Sequence, residues 1–160
     1  MNENCLDRIF RFRDSGILLD TNLLLVFIVG NVDPNLLGRK RTSGYSEYDY
    51  YQIVTILEKF SKFVVVPQVL AETAILLKQC ASEVATAQDL YAELARFIRD
   101  SRVLELHPSS KAAVQIQAYR WLHYTDVEIL EGAGKKFLIF TTDGGLIKEA
   151  GENALPFAWI

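Results

Sequence analysis

Gly16-Ile-Leu-Leu-Asp-Thr-Asn-Leu-Leu-Leu-Val-Phe-Ile-Val29 reads as a short buried strand, a polar corner and a second buried segment. Three apolar residues, Ile17 to Leu19, run into an acid, a hydroxyl and an amide, and the chain then returns at once to oil. Periodicity alone leaves Leu23 to Val29 open between strand and helix. The leucine content and the Thr-Asn start favour a helix, ending near Gly30. A carboxylate between two buried segments costs several kcal/mol unless it is paired or holds a metal. Asp20 therefore needs a reason to be there.

Working outward, the same alternation recurs. Phe63 to Val66 is a second buried strand, and Pro67 sits where a first helical turn tolerates proline. Arg102 to Leu106 is a weaker strand, Phe137 to Phe140 a fourth, and Leu155 to Ile160 could add a last one. Helical spacing is read over Glu47–Phe60, Val69–Cys80, Glu83–Asp100 and Lys111–His123. A further helix is capped by Thr125 and closes at Gly132 to Gly134, and a short one ends at Ala150. Asn31 to Ser46 is the most loop-like segment, with Asp-Pro, Ser-Gly and the basic run Arg39-Lys40-Arg41. Short apolar strands alternating with helices predict a parallel sheet of four to five strands in an α/β/α sandwich, one domain over residues 1–160.

The composition narrows the classes. The chain has 160 residues, half of them apolar, which suits one globular domain with a substantial core. Its net charge of −3 makes it no general magnet for nucleic acid, so such binding would need a local patch. Cys5 and Cys80 lie far apart with no metal-like spacing and read as reduced thiols. The first thirteen residues are charged and lack the apolar core of a leader. The stretch from Ile17 to Val29, interrupted by Asp20 and Asn22, falls short of the ~20 residues of a membrane helix. The expectation is a soluble cytoplasmic protein with no membrane partner.

In open parallel sheets, ligands bind beyond the carboxyl ends of the strands. Asp20 follows the first strand and Asp143 the fourth. Glu72 interrupts an otherwise apolar helix after the second strand, and Asp126 opens the helix that leads to the fourth. Carboxylates gathered at one edge repel one another. Hard divalent cations such as Mg2+ or Mn2+ relieve that repulsion, and such a metal can turn bound water into a nucleophile and stabilise charge on a phosphate oxygen. Each acid also has a plainer reading. Asp20, Asp126 and Asp143 are well placed as caps or first-turn acids, and Glu72 could be a solvated helix residue. His107 and His123 have no metal-ligand partner at useful spacing and read as ordinary structural positions.

Four pieces taken in order carry a resemblance: Leu18-Leu-Asp-Thr-Asn22, Val66-Pro-Gln-Val-Leu-Ala-Glu72, Tyr124-Thr-Asp126 and Phe140-Thr-Thr-Asp143. In order and separation they resemble the PIN domain, the nuclease module of toxin-type ribonucleases and RNA-processing enzymes. The resemblance implies that Asp20, Glu72, Asp126 and Asp143 form an acidic Mg2+ or Mn2+ site, supported by Asn22 and Thr141. It implies an endoribonuclease whose metal-activated water leaves a 5′-phosphate and a 3′-hydroxyl. For compact single-domain members it also implies a toxin held silent by a small antitoxin, and a homodimer. The chain departs from the family pattern after Asp126, where Glu128 and Glu131 could lie near the site, and after Asp143, where Gly144-Gly145 could open it. Arg39, Lys40 and Arg41 are the candidate RNA-binding residues. The rival reading is a non-catalytic PIN-like module that binds RNA or protein; an aspartyl-phosphate phosphatase is disfavoured, because Asn22 stands where a second aspartate would be needed.

Overall fold

A computed structural model describes residues 3–81 and 83–160. Helix α1 (Glu3–Phe12) precedes strand β1 (Ile17–Leu19), which leads into α2 (Thr21–Val32). After a loop with two short 3-10 turns come α3 (Glu47–Leu57), β2 (Phe63–Val65), α4 (Pro67–Cys80), α5 (Val84–Arg99) and β3 (Val103–Glu105). The chain continues through α6 (Ser110–Ala113), α7 (Tyr124–Ala133), β4 (Leu138–Thr141), α8 (Gly144–Ala150) and β5 (Ala154–Pro156). The five strands form one sheet in the order β3-β2-β1-β4-β5, and every pairing is parallel. Leu18 sits between Val64 and Ile139 in the central register. This is the expected α/β architecture with helices flanking a parallel sheet.

The central strand is paired on both edges and covered on both faces. Ile17, Leu18 and Leu19 are fully buried, as suits a strand inside a parallel sheet. α2 is apolar around most of its circumference for the same reason: it packs against α3, α4 and α5 as well as the sheet. α1, α7 and α8 lie against β4. The chain steps one way from β1 through β2 to β3 and then the other way from β4 to β5, an order in which right-handed crossovers put helices on both faces of a parallel sheet.

Four local expectations change. The N-terminal segment, read only for its charge, forms α1, whose Cys5, Ile9 and Phe12 fall on one buried face. α2 does not stop at Gly30 but runs to Val32. The glycine is there because the Tyr50 ring lies against it, so a Cβ would overlap that ring. Lys111–His123 is not one helix. It breaks into α6 and a 3-10 turn, with Ile116 extended between them. In an unbroken helix, Ala113 and Ala118 would point about 140° apart. The break lets both bury against Val127 in a small second core. His123, not Thr125, is the N-cap residue of α7. Cys5 and Cys80 are both buried, and no disulfide joins them. Among the described residues, no helix is long and apolar enough to cross a membrane.

Candidate functional site

Strand order reverses direction between β1 and β4: the chain moves one way from β1 through β2 to β3, then crosses back to β4 and β5. A crevice opens beyond the carboxyl ends of strands at such a point. Here it is a cleft of about 550 Å3, lined by Asp20, Thr21, Asn22, Arg41, Glu72, Ile75, Leu76, His123, Thr125, Asp126 and Asp143. All four acids singled out from the sequence face this one space, and so does Asn22.

Each acid is placed by a specific local device. Asp20 caps α2, its carboxylate accepting from the Leu23 N–H at 2.8 Å. The same carboxylate accepts from the Thr142 N–H at 3.1 Å and from the Thr141 hydroxyl. Asp20 is only 5% exposed, so burial raises its pKa; those three hydrogen bonds oppose the shift, and repulsion from Asp143 adds to it. Thr141 is fully buried and serves two carboxylate-bearing residues. It donates to Asp20 and accepts from the Asp143 N–H at 2.9 Å. Asp143 caps α8 through the Leu146 N–H at 2.7 Å. Gly145 follows because Leu122 and the Asp143 carboxylate leave no room for a side chain. The glycine pair therefore closes the packing beside Asp143 at its second member.

Asp126 accepts from the His123 N–H at 3.3 Å at the start of α7. Its pKa is raised to about 6, first by desolvation and then by repulsion from Asp143, with a smaller contribution from Asp20. Glu72 projects from α4 and is held by two hydroxyls. Thr21 donates to one carboxylate oxygen at 2.9 Å, and Thr125 donates to the other. Thr125 is buried, so this contact ties the α7 N-terminus to α4 and the β1 corner.

The four acids offer carboxylate oxygens, the kind of ligand that suits a hard divalent cation. The electrostatics agree in kind, since Asp20, Asp126 and Asp143 repel across the cleft and a cation would relieve that. In the arrangement described, each acid is instead turned to a protein N–H or O–H. Among the described residues, no three His, Cys, Asp or Glu side chains are grouped as a ready metal site.

The remaining candidates separate. Of the basic run, Arg41 lines the cleft. The Lys40 ammonium donates to the Ala81 carbonyl at 2.7 Å, at the end of α4. Arg39 is exposed and does not line the cleft. Neither Glu128 nor Glu131 reaches it. Glu128 is buried on α7, where one carboxylate oxygen accepts from the Tyr124 hydroxyl and the other has no hydrogen-bond partner among the described residues. His123, read from the sequence as an ordinary structural position, and Thr125, read as a helix cap, both line the cleft. Their sole signal was adjacency to Asp126. Compared with known proteins, the chain matches no family model and no curated protein.

Proposed function

We propose that the protein is a metal-dependent endoribonuclease of the PIN type, acting in the acidic cleft. The observation that carries this reading is that Asp20, Glu72, Asp126 and Asp143, distant in sequence, line one cleft at the switch point of a parallel sheet ordered β3-β2-β1-β4-β5. Those four carboxylates would hold Mg2+ or Mn2+, which supplies an activated water and charge relief for phosphodiester hydrolysis to a 5′-phosphate and a 3′-hydroxyl.

The chain's own residues do the orienting. Thr141 and the Thr142 N–H fix the Asp20 carboxylate at the strand end. Thr21 and Thr125 hold Glu72 from two sides. Arg41 brings a fixed positive charge to an otherwise acidic cleft, where a phosphate would need it. Buried and half-buried acids that resist ionisation without a cation favour one being bound.

The test is cleavage of a labelled single-stranded RNA in Mg2+ or Mn2+, with chelator controls and the variants Asp20→Asn, Glu72→Gln, Asp126→Asn and Asp143→Asn. Loss of cleavage with chelator and with the acid variants is expected. Retention of full metal-dependent cleavage in all four would overturn the reading. A partner follows from the same resemblance: growth arrest on expression, relieved by a small co-expressed protein, would mark a toxin with its antitoxin.

A second reading, a PIN-like module that binds RNA or protein without cleaving, is favoured by one observation. Each acid is engaged by protein donors, as caps and hydroxyl clamps are. RNA binding without metal uptake or cleavage would select it.

A further inference from the structure

The basic run Arg39-Lys40-Arg41 is held in an unusual conformation. Lys40 has φ 48°, the one non-glycine residue with positive φ among the described residues. A left-handed backbone at a residue other than glycine is strained and persists only where its surroundings hold it. Here they do. The Lys40 ammonium is bonded to the Ala81 carbonyl at 2.7 Å. Thr42 is fully buried, and its hydroxyl donates to the Arg39 carbonyl at 2.9 Å. The Thr42 N–H donates to that same carbonyl at 2.9 Å, and the Tyr45 N–H donates to the Thr42 carbonyl at 2.9 Å. The 3-10 turn Lys40–Thr42 packs on α4, the helix that carries Glu72. Between the pinned Lys40 and the plugged Thr42 stands Arg41. It is exposed, lines the acidic cleft and forms no ion pair among the described residues.

We infer that Arg41 alone of the basic run touches a phosphate of the RNA strand in the cleft, and that Lys40 is a positioning residue that aims it. An arginine held by its neighbours gives up less freedom on forming a phosphate fork than one on a free loop. The strain at Lys40 is then part of how the cleft is kept ready, and the lysine's charge is used on a backbone carbonyl instead of on substrate. This inference rests on the reading of the cleft as an RNA site, not on cleavage itself.

The experiment is fluorescence anisotropy with a dye-labelled single-stranded RNA in Mg2+, across a salt series. The protein is the full chain carrying Asp143→Asn, which keeps the helix cap because asparagine caps as well as aspartate. Adding Arg41→Gln should weaken binding several-fold and make the plot of log K against log salt shallower by about 0.7, the loss of one phosphate contact on a single strand. Lys40→Gln should weaken binding in the same direction, and the double variant should be no weaker than Arg41→Gln alone. Lys40→Gly, which suits the left-handed backbone, should keep the melting temperature and still weaken binding. Arg39→Gln, which removes the same charge one residue away, should change little. Equal effects of Arg39→Gln and Arg41→Gln, additive effects of Lys40→Gln and Arg41→Gln, or no RNA binding at all would each overturn the inference. If this pattern appears while the unmodified chain never cleaves RNA, the nuclease reading falls and the role of Arg41 stands.

Discussion

Thr141 does at residue scale what the cleft needs done: its hydroxyl gives a hydrogen bond to Asp20 and takes one from the Asp143 N–H. Thr141→Val keeps the shape and removes both. It leaves a buried carboxylate short of a donor and a partly buried N–H without an acceptor, so the expected loss is about 1–3 kcal/mol. Urea unfolding at pH 7 reads it as a lower midpoint at unchanged slope. Asp126 predicts the opposite sign. Its carboxyl is held up at about 6 in the fold against 3.8 for the free group. The native state thus binds more protons than the unfolded chain between those pH values, and stability falls as pH rises through the window. The full linkage would be about 3 kcal/mol, and screening at a half-buried group reduces it to about 1–2 kcal/mol. Asp126→Asn is expected to stabilise the metal-free protein by that amount at pH 8 and by nothing near pH 4. Equal effects at the two pH values, in chelator, would refute it. The acids themselves were legible in the sequence, because a strand end is a local pattern and a charge there is conspicuous. The clamp of Thr21 and Thr125 on Glu72 was not legible. It depends on α4 and α7 meeting across 53 residues of chain, which no local spacing records.

At the scale of elements, the same division between local and distant causes holds. β1, β2 and β4 were readable because buried parallel strands are continuous apolar runs. β5 was readable only as a possibility, since Ala154–Pro156 gains its strand character from lying beside β4. α1 was hidden by its charges: Cys5, Ile9 and Phe12 make a narrow stripe in a segment that also carries Glu3, Asp7, Arg8 and Arg11. Gly30 was misread for a sharper reason. Glycine near the end of an apolar run looks like a helix stop, yet here it makes room for the Tyr50 ring inside the helix. That ring is not free to swing, because its hydroxyl donates to the Asn31 side chain at 2.9 Å. Gly30→Ala should therefore destabilise by about 1–3 kcal/mol through overpacking, although alanine favours helix by about 1 kcal/mol. Tyr50→Ala removes the obstacle, so in that background Gly30→Ala should be stabilising. Thermal unfolding of the four chains in this cycle decides it; the same sign in both backgrounds would mean the ring is not the cause.

At the scale of the whole molecule, the fold carries a charge problem at one end of an otherwise apolar sheet. Residues from β1, β4, α4 and α7 deliver carboxylates to a single cleft, and burial and repulsion raise the pKa of Asp20 and Asp126. The metal-free fold is thereby weakened as those groups ionise, and a cation that binds only the native state would recover the loss. Two consequences follow that depend on no substrate. Mg2+ or Mn2+ at about one hundred times its dissociation constant should add about 2.7 kcal/mol of stability. For a chain of this length that raises the melting temperature by about 5–10 °C. The gain must also grow with pH, because protonated carboxyls are poor ligands and Asp126 changes over near pH 6. A large shift at pH 8, a small one at pH 5 and none in Asp20→Asn or Asp143→Asn is the expected pattern in thermal unfolding. A shift of equal size at both pH values would place the ion elsewhere on the surface. No shift at any pH, with RNA still bound, would make the acids a set of caps and clamps and the protein a binding module on this α/β frame.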